Sequence, residues 1–64
     1  MGLYVGLDVG SVSVDLVVTD ETGCVRESRY VRTLGRPLEV ALAELEGVLN
    51  RHGTVAGLSA TGSA

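Results

Sequence analysis

From Leu3 to Val18 an apolar residue stands on every second position, with Tyr4 and Val17 the apolar residues off that register. The alternating residues are first Leu3, Val5, Leu7 and Val9, then Val12, Val14, Leu16 and Val18. The parity changes once, at Gly10–Ser11. An alternation of period two marks strands that bury one face, so the segment predicts two strands joined by a tight turn at Gly10 and Ser11. "DETG", Asp20 to Gly23, is a polar, glycine-ended connection of hairpin type. A third strand follows from Val25 to Arg32. Its Arg26, Glu27, Arg29 and Arg32 suit a sheet edge, where charge discourages unwanted pairing. The three strands predict an antiparallel meander.

"TLGRP" ends the alternation and places Pro37 as a first helical residue, where its missing N–H costs nothing. Leu38, Ala41, Leu42, Leu45, Val48, Leu49 and His52 then recur at helical spacing as one stripe. The helix is expected to pack on the sheet through Leu38, Leu42, Leu45 and Leu49. Glu39 suits the first turn of a helix dipole and Gly53 its C-terminal cap. Val40, Ala43 and Gly47 cluster roughly opposite the stripe, either as a close helix contact or as a neutral surface of small residues. A fourth strand, Val55 to Ser59, should lie parallel to the first, because a helical crossover returns the chain in that direction. The order is βββαβ.

Sixty-four residues make at most one small domain, and a chain of this size buries only ~60% of its unfolded surface. The single cysteine, Cys24, excludes an intrachain disulfide, and Cys24 with His52 is too few ligands for a structural zinc site. With two tyrosines as the only aromatic residues, the core must be aliphatic and thin. The ending "GLSATGSA", directly after a strand, reads as a piece of something larger. A net charge of −3 gives no attraction to nucleic acid or to an anionic membrane. No apolar run approaches the ~18–20 residues of a membrane span, and no basic segment with a signal-like core opens the chain. The expectation is a cytoplasmic chain with no nucleic-acid or membrane partner.

The chemistry concentrates at "GLDVGSVSVD". Gly10, taking φ > 0, would let consecutive N–H groups converge on a phosphate oxygen. Asp8 beside it could hold Mg²⁺, which commonly uses one or two carboxylates and keeps several waters. The plainer account is an ordinary hairpin with a solvated aspartate. Ser11 and Ser13 have no neighbouring base that would make either a nucleophile. His52 reads as a partly buried or capping residue, and Tyr4 and Tyr30 as packing residues.

"GLDVGSVSVDLVVTDETG", the charged third strand, "GRPLEVALAELEGVLNRHG" and "VAGLSATGSA" together resemble the N-terminal part of the 2-hydroxyacyl-CoA dehydratase activators. These are ATPases of the benzoyl-CoA reductase type within the actin, hexokinase and heat-shock-chaperone superfamily. The resemblance spans essentially the whole chain. It implies that residues 1–64 form a single partial domain, a ribonuclease-H-like βββαβ half of an ATPase whose nucleotide lies between two halves. By resemblance Asp8 would organise the Mg²⁺ shell and have a catalytic role. Gly10, Ser11, Val12 and Ser13 would form the first phosphate loop, and Thr61 and Gly62 a loop facing the same cleft. The implied cofactors are ATP and Mg²⁺, with an iron–sulfur cluster whose ligands lie outside this segment; Cys24 does not match them. The implied partners are the remainder of the parent chain, a second subunit of a homodimer, and an acyl-CoA dehydratase or reductase that receives electrons.

One position departs from the family pattern. Asp15 stands in the second strand where a lysine or another non-acidic residue is common, and a carboxylate there would repel phosphates by roughly 1–4 kcal/mol at ~4 Å. Asp15 is therefore aimed elsewhere, or joins Asp8 around a metal, or marks a chain that has lost tight nucleotide binding and serves as a scaffold. A ribonuclease-H-like nuclease is the competing enzymatic reading. It needs further carboxylates converging on two metals, and "LSATGSA" has none.

Overall fold

The computed structural model describes residues 2–62. The elements are β1 (Leu3–Val9), β2 (Ser13–Asp20), β3 (Val25–Arg32), α1 (Pro37–His52) and β4 (Gly57–Gly62). They form one sheet of order β3-β2-β1-β4, with β1 and β2, and β2 and β3, antiparallel and β4 parallel to β1. This is the βββαβ arrangement expected from the alternation and the crossover. Both hairpin strands bury their apolar positions on one face: Val5, Leu7, Val14, Leu16 and Val18 are all in the core.

The turn between β1 and β2 is not where the parity change suggested. Val9 pairs with Val14, and Gly10 donates its N–H to the Ser13 carbonyl at 2.9 Å. The loop is therefore Ser11–Val12, and Val12 stands exposed at its tip instead of opening the second strand. β4 also starts later than expected. Val55 packs against the core from the connection, and pairing begins only where Gly57 meets Tyr4.

The second hairpin is tied by Asp20. Its Oδ1 accepts the Thr22 amide at 2.9 Å, the Thr22 hydroxyl at 2.6 Å and the Cys24 amide at 3.1 Å, while Gly23 takes φ 89°. An aspartate bonding the backbone that follows it is the standard device of such turns. β3 then carries one extra residue, Arg26, between the Val18–Glu27 and Thr19–Val25 pairs. A bulge at an edge strand spoils its pairing surface, as do the charges of β3. The opposite edge, β4, carries no charged residue.

α1 is placed as expected between Pro37 at its start and Gly53, whose N–H returns to the Leu49 carbonyl at 2.8 Å. Its rotation differs. The helix lies across β1 and β2 and buries Ala41 and Val48, with Val40 and Leu45 partly buried. Leu38, Leu42 and Leu49 remain exposed, so of the four expected contacts only Leu45 reaches the core. The cause is a row of polar contacts to β3. Glu44 pairs with Arg29, Arg51 reaches Glu27 at 2.6 Å, and His52 Nε2 donates to Glu27 at 2.8 Å. These contacts turn one flank of the helix toward β3, and the leucines consequently fall on the other flank. Nor is there a bare face of small residues: Val40 packs inward, and the Arg51 guanidinium lies over Gly47, 3.0 Å from where a Cβ would stand.

Hydrogen bonding from His52, reinforced by Arg51, holds the Glu27 carboxyl below its ordinary value. A carboxylate with a depressed folded-state value adds stability above its unfolded value, and that contribution is lost as pH falls through the folded one. Acid weakening should thus begin below about pH 4.3, the reference value for glutamate. Glu27→Gln should lower the urea midpoint at pH 7 and flatten its decline toward pH 2. An unchanged acid limb in the variant would assign the decline to other carboxylates, Asp20 first among them.

Candidate functional site

The helix covers one face of the sheet and leaves the other open. On that outer face the strand register sets four side chains in a row across the sheet: Tyr30, Asp15, Asp8 and Thr61. Asp8 and Asp15 are directly opposite each other on β1 and β2, a relation that brings Cβ atoms to ~4.5–5.5 Å and makes like charges unfavourable. Both are exposed. Among the described residues no arginine or histidine lies within ion-pair distance of either carboxylate. The Thr61 hydroxyl donates to Asp8 Oδ1 at 3.4 Å. Gly6 and Ser59 give the surrounding shallow groove its low floor, about 250 Å³ in volume.

The row continues toward the hairpin tip. Ser13 begins β2 on the same face as Asp15, and its partner on β3 is Arg32. Arg32 is therefore diagonal to Asp15, at a spacing of ~7–8 Å between such neighbours, and makes no ion pair among the described residues. It also lines a second depression with Ser11, Val12 and Thr33. The sequence alone marks Arg32 only as an edge residue. Its partner across the sheet depends on the register of β3, which the bulge at Arg26 shifts.

The phosphate nest expected at Gly10 is not formed in the expected way. Gly10 is not among the positive-φ glycines, which are Gly23, Gly35 and Gly53. Its N–H is spent on Ser13, and a Cβ on it would stand 3.2 Å from the Ser13 carbonyl. Close approach of the chain to itself accounts for this glycine. The amides of Ser11 and Val12, by contrast, donate to no protein group among the described residues. Thr61 and Gly62 lie at the end of β4, not in a loop. A Cβ on Gly62 would come within 2.5 Å of the Val9 carbonyl, so packing of β4 on β1 requires glycine there.

The tip is held by a residue that the sequence did not advertise. Thr33, 1% exposed, donates its hydroxyl to the Ser11 carbonyl at 2.7 Å and its amide to the Val12 carbonyl at 2.9 Å. Thr33→Val keeps the volume and the amide bond but loses the hydroxyl bond. The expected cost is about 0.5–1.5 kcal/mol, read as a lower thermal midpoint. An unchanged midpoint would mean that solvent replaces the bond without loss.

No family model, curated protein or solved structure matches the chain.

Proposed function

We propose that the outer sheet face is the metal- and phosphate-facing wall of a nucleotide-binding module. The observation that carries this is the Asp8–Asp15 pair, two carboxylates set opposite each other with no ion-pair partner among the described residues. Two hard oxygen donors with a neighbouring hydroxyl fit Mg²⁺, which keeps most of its waters. Bound there, Mg²⁺ would neutralise the pair and supply a positive charge for phosphate oxygens. Ser11 and Val12 offer free amides, and Arg32 offers the cation that the second strand lacks. Guanidinium groups suit phosphate because their donors match two of its oxygens at once.

The particular reading is an ATPase of the 2-hydroxyacyl-CoA dehydratase activator kind, to which residues 1–64 would contribute one wall of the cleft. The resemblance of the whole chain to that family supports it. In that setting ATP would be the nucleotide, and the partner would be an acyl-CoA dehydratase or reductase. A facing carboxylate pair also suits the nuclease reading. That reading needs a third acidic ligand, and no cluster of three metal-ligating side chains occurs among the described residues. No helix among them is long and apolar enough to cross a membrane.

The test is titration of the chain with Mg²⁺ alone and then with Mg²⁺ and ATP, followed by amide resonances. Mg²⁺ should shift Asp8, Asp15 and Thr61, and ATP should then move Ser11 and Val12. One wall should bind ATP weakly and hydrolyse none. Asp15→Lys decides what Asp15 does. It should weaken Mg²⁺ binding at least tenfold, ~1.4 kcal/mol, while stabilising the metal-free fold by placing an opposite charge beside Asp8. Tighter Mg²⁺–ATP binding in that variant would mean that Asp15 faces the phosphates. Absence of any shift at Asp8 would reduce the face to a structural remnant.

A further inference from the structure

The helix and the edge strand β4 leave an apolar corner on the covered side of the sheet. Its floor is the inner face of β4: Leu58 pairs with Val5 and Ala60 with Leu7, so both point to the core side, yet Leu58 is 52% exposed. Its wall is the flank of α1 turned away from β3. Leu38, Leu42 and Leu49 lie there, within a 40° arc at 100° per residue, and Leu38 and Leu42 are 73% and 66% exposed. The floor is uncovered because α1 packs over β1 and β2, leaving β4 without a second layer. A helix about 10 Å across fits the space over one edge strand and beside another helix.

Charge selects which helix. Next to the leucine wall on α1 come Glu46 and Glu39, both exposed and on the outer rim. Among the described residues Glu39 forms an ion pair only with Arg36, at 3.6 Å with both side chains open to solvent, and Glu46 forms none. A second copy of α1 would bring the same acidic rim, in a chain already at net charge −3. We propose that this corner docks an amphipathic helix of a partner polypeptide, with an apolar stripe on Leu38, Leu42, Leu49 and Leu58 and lysine or arginine along the edge that meets Glu39 and Glu46. Laying an apolar helix face into such a corner is a common mode of peptide recognition, and the acidic rim sets orientation and association rate.

The probe is a synthetic amphipathic 16-residue helix with leucine at the core positions and lysine on its edge. It is titrated against the intact chain and followed by amide resonances and calorimetry. Saturable binding should shift residues 38–49 and 57–60 and leave Asp8 and Asp15 unmoved. Leu42→Asp changes a side chain already in solvent, so the fold should persist while affinity falls at least tenfold. Glu39→Lys with Glu46→Lys should weaken the basic helix and make the corresponding acidic-edged helix bind better. Shifts spread over the outer face, or affinity indifferent to both sets of variants, would overturn the proposal. So would sedimentation showing a dimer that Leu42→Asp dissolves, since the occupant would then be a second copy.

Discussion

Leu16→Ala is expected to remove a large share of the stability of the fold, read as a sharply lower urea midpoint. Leu16 is fully buried at the middle of β2, between Leu7 on β1 and Arg29 on β3. Removing a buried leucine side chain costs about 2–5 kcal/mol in transfer and cavity terms. A chain of 64 residues, at the usual ~0.05–0.15 kcal/mol per residue, has about 3–10 kcal/mol in total. The core is one layer of aliphatic side chains between a four-stranded sheet and one helix, with no disulfide to limit the loss. Leu42→Ala is the matched control. It deletes the same atoms from an exposed site and should stay within about 0.5 kcal/mol. Equal urea midpoints for the two variants would contradict the rotation of α1 described above.

Leu34→Asn should act in the opposite direction and raise the thermal midpoint by roughly 4–8 °C, the shift that ~1 kcal/mol gives a domain of this size. The chain from β3 to α1 turns through Thr33–Leu34–Gly35–Arg36, closed by the Arg36 amide on the Thr33 carbonyl at 2.8 Å. Both central residues have positive φ, 51° at Leu34 and 80° at Gly35. That combination suits Asn-Gly and disfavours a leucine, for which the left-handed region costs roughly 1–2 kcal/mol. The Leu34 side chain is 85% exposed, so nothing buried is lost on replacing it. Leu34→Val should be worse than the native residue, since β-branching is least tolerated there. A midpoint order other than Asn, Leu, Val would show that the side chain, and not the backbone, sets the stability of this turn.

The number, order and directions of the strands and the helix limits were legible because periodicity, Pro37 and Gly53 carry them, whereas the starts of β2 and β4 were not. Nor was the pairing of Asp8 with Asp15. With a turn at Gly10–Ser11, Asp8 would face Ser13 and Asp15 would face Gly6; with the observed turn at Ser11–Val12 the carboxylates meet. Both registers set apolar residues against apolar ones, so alternation cannot choose between them. A slip of two residues preserves the faces that a slip of one would invert. The rotation of α1 was hidden for a related reason. The stripe from Leu38 to His52 is about 120° wide at 100° per residue, and its centre would be the sheet-facing line only if polar contacts did not compete. Arg29 and Glu27 supply that competition from a strand distant in sequence, and Arg32 reaches the candidate site through the same strand.

Thr33 joins two places that are otherwise far apart along the chain. Its hydroxyl and amide close the hairpin tip, and its carbonyl accepts the bond that starts the turn into α1. The tip is therefore not a self-sufficient loop, because its shape is borrowed from a segment twenty-two positions later. Opening either one frees the other, so both should exchange their amide hydrogens as one cooperative unit. A ligand that quiets Ser11 and Val12 would slow exchange at Arg36 as well, although it touches nothing there. The first turn of the helix thus becomes a remote reporter of whether the hairpin is occupied.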